Sequence, residues 1–273
     1  MRREIAKSIS DTVTLASLSK GLALLLKLRE IARPMGLSEI ARTISLKKAS
    51  VYRILVTLER HHFVERTESK KYQLGVNAFY VGSGFPALHD PDRVAAAMKR
   101  VVADTKHSLT LSVLQGSSVL YIARIDGLAM VRVTVEIGSL VCAYASASGK
   151  AMLAQLSDKE VRERFKGVKF QKLTPRTVSS VERLIASLKE VRARGFAVND
   201  EEREKGLCAL GVPVKNVAGR DTIALAIAYP AGTFDSGELE VVAKKLRFAA
   251  NEIESLERIG SFGNSLLSNY KLD

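Results

Sequence analysis

The chain is poor in cysteine and histidine, on which disulfides and many metal and nucleophilic sites rest. Its two cysteines, Cys142 and Cys208, lie far apart in sequence, and neither has a cysteine or histidine at metal-ligand spacing. That points away from a disulfide framework and towards buried free thiols. Four histidines (His61, His62, His89, His107) form no HxxxH or HExxH pattern, so no metal site is expected. His107 alone belongs to the C-terminal part proper. No Ser–His–Asp set can be assembled around it, and no catalytic residue is assigned. Long apolar runs are missing too: Leu22–Leu28 is short, and Lys27 and Arg29 interrupt its continuation. The N-terminal MRREIAKSISDTVTLASLSKG has cations but no continuous apolar stretch and no small-residue cleavage site. No membrane partner is expected, and the expected location is cytoplasmic.

What the chain does have is unevenly placed positive charge. The formal net charge is +13 over 273 residues. Residues 1–80 hold 15 Lys+Arg against 7 Asp+Glu, a net of +8, while the rest hold 27 against 22, a net of +5. The length suits two domains, each with its own core, and the asymmetry favours a polyanion as partner of the N-terminal one.

The same region carries a helix-turn-helix pattern. Leu37, Ile40, Ala41 and Ile44 share one helical face. Beyond a Ser45-Leu46 turn, Val51, Ile54, Leu55 and Leu58 repeat at the same period. Packing those stripes together leaves Lys47, Lys48, Ala49, Tyr52 and Arg53 outside, with Ser50 among them. A helix offering small, polar and cationic side chains from its first turns suits the major groove. A hairpin follows, with Val64, Tyr72 and Leu74 expected inside and Arg66, Lys70 and Lys71 at the tip to meet phosphates. Upstream, Ser17-Leu18-Ser19 is expected to cap a helix ending near Ile31, before Pro34 and Gly36.

Residues 76–90 read as a helical linker with a hinge at Gly82 and Gly84, and Asp90-Pro91 as the start of another helix. Beyond it, strands and helices alternate. A hairpin spans 109–126 with its turn at Gly116-Ser117-Ser118, and a third strand is expected over 130–138. A helix opens at 148–156, and Val181–Arg194 is a second, ended by Gly195. Strands follow over 195–199, 207–214 and 222–230, with a turn at Asn216–Arg220, and a long helix runs over Gly237–Arg258. The pattern is α+β, a largely antiparallel sheet flanked by helices.

Two segments invite chemical readings. Ala147-Ser148-Gly149-Lys150-Ala151 fails as a phosphate loop: it lacks the earlier glycine, and Ala151 stands where Ser or Thr would hold magnesium. No other motif calls for a cofactor. A small-residue run opening a helix either holds a carboxylate on free N–H groups or simply packs closely against a strand. Asp200-Glu201-Glu202 reads as an acid/base or ligand cluster, or as a solvated turn.

Taken together, SLSKGLALLLKL, LSEIARTISLKKASVYRILVTLERHHFVER, YQLG, VLYIARIDG, ASASGKAMLA and GFAVNDEEREKGLCALGVPV resemble, in this order, the IclR family of bacterial transcription regulators. The resemblance covers about Leu15 to Arg258. It implies a winged helix-turn-helix over 1–75, a linker helix over 76–90 used in dimerisation, and a GAF-like effector-binding domain over 91–273. It further implies a dimer or tetramer on a palindromic double-stranded DNA operator beside a catabolic operon, with a small organic acid as effector. Effector contacts carried over residue by residue are Ser148, Gly149, Asp200, Cys208, Ala209, Ala226 and Ala228, with Met130 and Val131 as an apolar wall. Some relatives have serines at the positions of Ala226 and Ala228, so alanines here imply a roomier, less polar pocket and a larger, partly aromatic acid. Lys47 and Ala49 replace a proline and a serine frequent in the family. Two other classes stay open: a constitutive DNA-binding protein without a ligand, and an enzyme tethered to nucleic acid.

Overall fold

A computed structural model describes residues 14–83, 91–129, 135–215 and 223–267, the last twelve of these as backbone alone. The chain divides into two compact units, residues 1–86 and 87–273.

The first unit is built on three helices and a hairpin. They are α1 (Ala16–Ile31), α2 (Leu37–Thr43), α3 (Lys48–Arg60), β1 (Val64–Arg66) and β2 (Tyr72–Leu74). Helix α1 begins a turn earlier than its serines suggest, at Ala16, with Leu15 in the cap position and no side-chain cap. Ser17 and Ser19 therefore sit inside the helix. The apolar stripes meet as their period requires: Leu24, Leu28, Ile40, Ala41, Val51 and Leu55 are buried, with Val64 and Tyr72 of the hairpin closing the core. Met35 joins it through a feature absent from the sequence pattern. Its backbone N–H donates to Tyr72 O (2.9 Å) and its carbonyl accepts from Tyr72 N (2.8 Å), adding a single-residue third strand to the hairpin. Helix α4 (Val76–Ser83) completes the unit. Gly82 of the expected hinge lies within it, while Gly84 and Asp90 fall outside the described residues.

The second unit contains helix α5 (Pro91–Thr105), then β3 (Leu109–Gln115), β4 (Ser118–Ile125) and β5 (Leu140–Cys142). A 3₁₀ turn (Ala143–Ala145) leads into α6 (Ala147–Leu153), α7 (Asp158–Arg164) and α8 (Val181–Arg194). Strands β6 (Ala197–Asp200), β7 (Leu207–Val214) and β8 (Ile223–Pro230) precede α9 (Ser236–Leu267). The sheet order is β5-β4-β3-β8-β7-β6, antiparallel throughout.

Strand alternation decides what each face holds. Leu109, Leu111, Leu210, Val212, Leu225 and Ile227 pack against α5 and α9. The opposite face receives α6 and α8, with Val119, Tyr121, Ala197 and Ala224 beneath them.

Several boundaries differ from expectation. The β3–β4 turn is Gly116-Ser117, because Ser118 already pairs with Gln115. Of the strand expected over 130–138, residues 130–134 lie outside the described set and Ile137-Gly138 form a turn; the edge of the sheet is β5 instead. Cys142 on that edge strand is half-buried rather than buried. Helix α7 has no apolar stripe long enough to announce it, yet Ser157 and Glu160 form a complete capping box at its start. The turn expected at Asn216–Arg220 is also outside the described residues.

Candidate nucleic-acid interface and ligand cavity

In the first unit, Val51 and Leu55 anchor α3 from below. Lys47, Lys48, Ala49, Ser50, Tyr52 and Arg53 are all exposed, so the helix presents its opening turns outward. The hairpin tip is folded tightly: Thr67 N–H donates to Lys71 O (2.8 Å), and Lys70 N–H donates to Thr67 O (2.9 Å). Lys70 adopts a left-handed conformation (φ 58°), and Lys70 and Lys71 are exposed. Arg66 lies over the Tyr72 ring at 5.7 Å, which steadies its guanidinium.

In the second unit, the sheet face under α6 is hollow. Strand β8 reads IALAIAYP. Its large residues fall on the α5/α9 side, and its alanines on the other. Ala226 and Ala228, with Ala209 of β7 and Ala145 and Ala147 beside α6, bound a cavity with about 610 Å³ of empty space including its mouth. Its polar lining comes from Thr110, Tyr121, Ser146, Ser148, Asn199 and Arg203. Mostly apolar walls with a few convergent polar groups give it the character of a small-molecule site.

Two glycines set this geometry. A Cβ at Gly211 would stand 2.7–2.8 Å from backbone atoms of Ala147 and Ser148, so only glycine lets the start of α6 settle onto β7. One at Gly149 would meet Ala143 O at 2.2 Å. Ser146 caps α6 by accepting from Gly149 N–H at 3.0 Å, so that donor is already used.

Lys150 turns away from the cavity. Its Nζ donates to Val198 O (2.6 Å) and pairs with Glu202, both side chains being largely buried. The 200–203 turn is further tied down by Asn199 Oδ1, which accepts from Glu202 N–H (3.1 Å), and by Thr177 Oγ1, which donates to Glu202 O (2.6 Å). Asn199 Nδ2 in turn donates to Ala145 O (2.6 Å).

Of the effector contacts carried over by resemblance, Ser148, Cys208, Ala209, Ala226 and Ala228 line the cavity. Gly149 and Asp200 do not. The pleat explains Asp200: Asn199 points to the cavity face, so its neighbour points to the other. There its carboxylate is mostly exposed, pairs with Arg176 and accepts from Cys208 Sγ (3.5 Å). Met130 and Val131 are outside the described residues. Tyr121, Asn199 and Arg203 were not anticipated. Arg203 is hidden within an acid-rich run, and the place of Tyr121 depends on pairing between distant segments. Burial pushes the Tyr121 phenol up, against which the Arg203 charge and side-chain hydrogen bonds with Arg203 and Ser148 act in the opposite sense. Burial likewise pushes up the Cys208 thiol, leaving it a poor nucleophile.

Among the described residues there is no cluster of His, Cys, Asp or Glu able to hold a metal ion, and no helix long and apolar enough to cross a membrane. A winged helix whose helix α3 exposes a cationic face, in one chain with an α+β unit that holds a cavity, defines a DNA-binding transcription regulator with a separate effector-binding domain. Family models make the assignment particular: the IclR helix-turn-helix domain matches residues 17–68, and the bacterial transcriptional regulator IclR C-terminal domain matches residues 92–255. The chain belongs to the IclR family of transcription regulators. It is 32% identical to the HTH-type transcriptional regulator KdgR of Escherichia coli over 82% of this chain and 86% of that one. Among solved structures, an IclR transcriptional regulator from Alicyclobacillus acidocaldarius superposes with a TM-score of 0.77 at 26% identity, covering 89% of this chain and 99% of that one. Thermotoga maritima IclR gives 0.63 at 27% identity, covering 88% and 98%.

Proposed function

We propose that this protein is a ligand-responsive regulator of a catabolic operon, binding a palindromic operator as a dimer or tetramer and answering to a small organic acid. The observation that carries the reading is the joining, in one chain, of an outward-facing cationic helix and a cavity hollowed by alanines with an arginine in its wall. Helix α3 enters the major groove, with Ala49, Ser50, Tyr52 and Arg53 nearest the bases. Lys47, Lys48, Arg66, Lys70 and Lys71 neutralise phosphates. One such module specifies few base pairs, so a second half-site is needed. Self-association is supported by exposed apolar side chains in the first unit: Leu15, Leu18, Leu22 and Leu26 along α1, and Val76, Phe79, Tyr80 and Val81 on α4. The alanine walls suit a compact apolar or aromatic body. Ligand binding acts on transcription by favouring one arrangement of the two DNA-binding units over another.

Footprinting of the DNA upstream of the protein's own gene, with and without aliphatic and aromatic acids, tests the reading. Arg53→Ala is expected to cost about 1–3 kcal/mol on the operator and to blur one position. Lys70→Ala is expected to weaken operator and random DNA alike and to flatten the salt dependence by about one counterion. Identical behaviour of the two variants would overturn the division of roles, and a footprint indifferent to every acid would overturn the ligand response.

A further inference from the structure

Taking the cavity as the effector site, we infer that Arg203 and Tyr121, with Ser148, form a carboxylate clamp that makes the site selective for monoanionic acids. The starting point is an imbalance of charge. The turn after β6 carries Asp200, Glu201, Glu202, Arg203 and Glu204 in succession, which on sequence alone is an acidic surface. In the fold, three of those acids are taken up elsewhere. Asp200 pairs with Arg176. Glu201 lies 3.3 Å from Arg176 and accepts from Gly206 N–H (2.7 Å). Glu202 is held by the buried Lys150. Arg203, by contrast, is ion-paired with no carboxylate among the described residues. Exposed at the mouth, it stands in the cavity wall as a cation with no carboxylate partner among the described residues.

Donors converge on the same place. Tyr121 and Ser148 line the same cavity as Arg203, and Tyr121 itself is only 8% exposed. Guanidinium N–H groups and two hydroxyls together offer what a carboxylate's two oxygens accept. The remaining polar lining is already committed. Thr110 Oγ1 donates to Ala226 O (3.1 Å), Asn199 bridges Ala145 and Glu202, and Gly149 N–H is capped by Ser146. Asp200, on the opposite sheet face, is not available to oppose an anion. With Ala209, Ala226 and Ala228 accommodating the body of the ligand, the site takes a monocarboxylate with a compact apolar or aromatic body. A second carboxylate would find no second cation among the described lining residues.

The test uses acid–amide pairs of matched shape: benzoate and benzamide, phenylacetate and phenylacetamide, pyruvate and pyruvamide. Binding is measured by calorimetry on the full chain at pH 7.5, beside its operator footprint. The wild type is expected to bind at least one acid about tenfold or more tighter than its amide. Arg203→Gln should bring the acid down to the level of the amide while leaving the amide's affinity and the ligand-free melting temperature in place. Arg203→Lys should restore part of the preference, and Tyr121→Phe should reduce it several-fold. An Arg203→Gln protein that keeps the full acid preference overturns the clamp. Wild type that binds amides as well as acids overturns the clamp but leaves the ligand response standing. Wild type that binds neither class, with an unchanged footprint, overturns the effector reading itself and the clamp with it.

Discussion

The two units of this protein keep their working residues in opposite places. In the winged helix every buried residue among those described is apolar or glycine, and the residues proposed to meet DNA are all exposed. In the second unit lie all the buried polar side chains among the described residues: His107, Ser108, Thr110, Ser112, Ser146, Ser148, Lys150, Thr174, Thr177 and Asn199. A surface that meets a polyanion needs only a dry core to hold it up. A cavity that holds a small molecule needs polar groups inside, each with a partner, and small residues where the ligand must fit.

This contrast predicts different consequences of damage. The largest effect should come from the dry core. Leu55 is fully buried on the inner face of α3, and Leu55→Ala should cost about 2–5 kcal/mol through lost transfer energy and the cavity left behind. Denaturant unfolding of the variant should show it, operator binding should fall at every sequence, and calorimetric ligand binding by the second unit should persist. Loss of ligand binding along with DNA binding would break the comparison, since it would mean that the units do not have separate cores.

Gly211→Ala is the matching lesion on the other side. The added Cβ meets backbone, not a flexible side chain, so either α6 lifts from β7 or the strand shifts. About 1–3 kcal/mol of overpacking is expected. Because α6 carries Ser148, ligand affinity should fall further than stability does, while DNA binding without ligand stays near wild type. Unchanged ligand affinity would mean that the seat of α6 on β7 does not shape the cavity.

The same contrast accounts for what could be read in advance. A helical stripe is local: Val51, Ile54, Leu55 and Leu58 announce α3 within one window, and the exposed set follows by subtraction. Helix α8 of the second unit, Val181–Arg194, has the bounds its stripe and Gly195 imply. The cavity is not local. Tyr121, Asn199 and Arg203 meet through the β5-β4-β3-β8-β7-β6 order, which brings together strands far apart in sequence. Asp200 and Asn199 are adjacent in sequence and on opposite faces in space, so a one-residue choice moves a carboxylate out of the site. Met35 was equally illegible, because a single residue pairing with Tyr72 has no periodicity to show.

A smaller effect sharpens the comparison through pH. His107 is 9% exposed and packs edge-on against Phe234 (5.2 Å between ring centroids) and Tyr229 (6.2 Å). Burial lowers its pKa below the ordinary 6.5, because the imidazolium is desolvated there. The folded second unit therefore resists a proton that the unfolded chain accepts. Between the lowered folded value and 6.5 the unfolded state binds more protons, so stability rises with pH across that window. It is fully present above about 6.5 and is lost as the pH falls towards the folded value. The first unit has no buried histidine among its described residues, so the acid sensitivity from this source belongs to the second unit alone. Urea unfolding of wild type and His107→Phe between pH 7.5 and 5.5 checks it. The wild type should lose stability on acidification more steeply than the variant, which keeps the ring contacts but cannot take the proton. Parallel pH profiles would assign the acid sensitivity to other groups and remove His107 from the account.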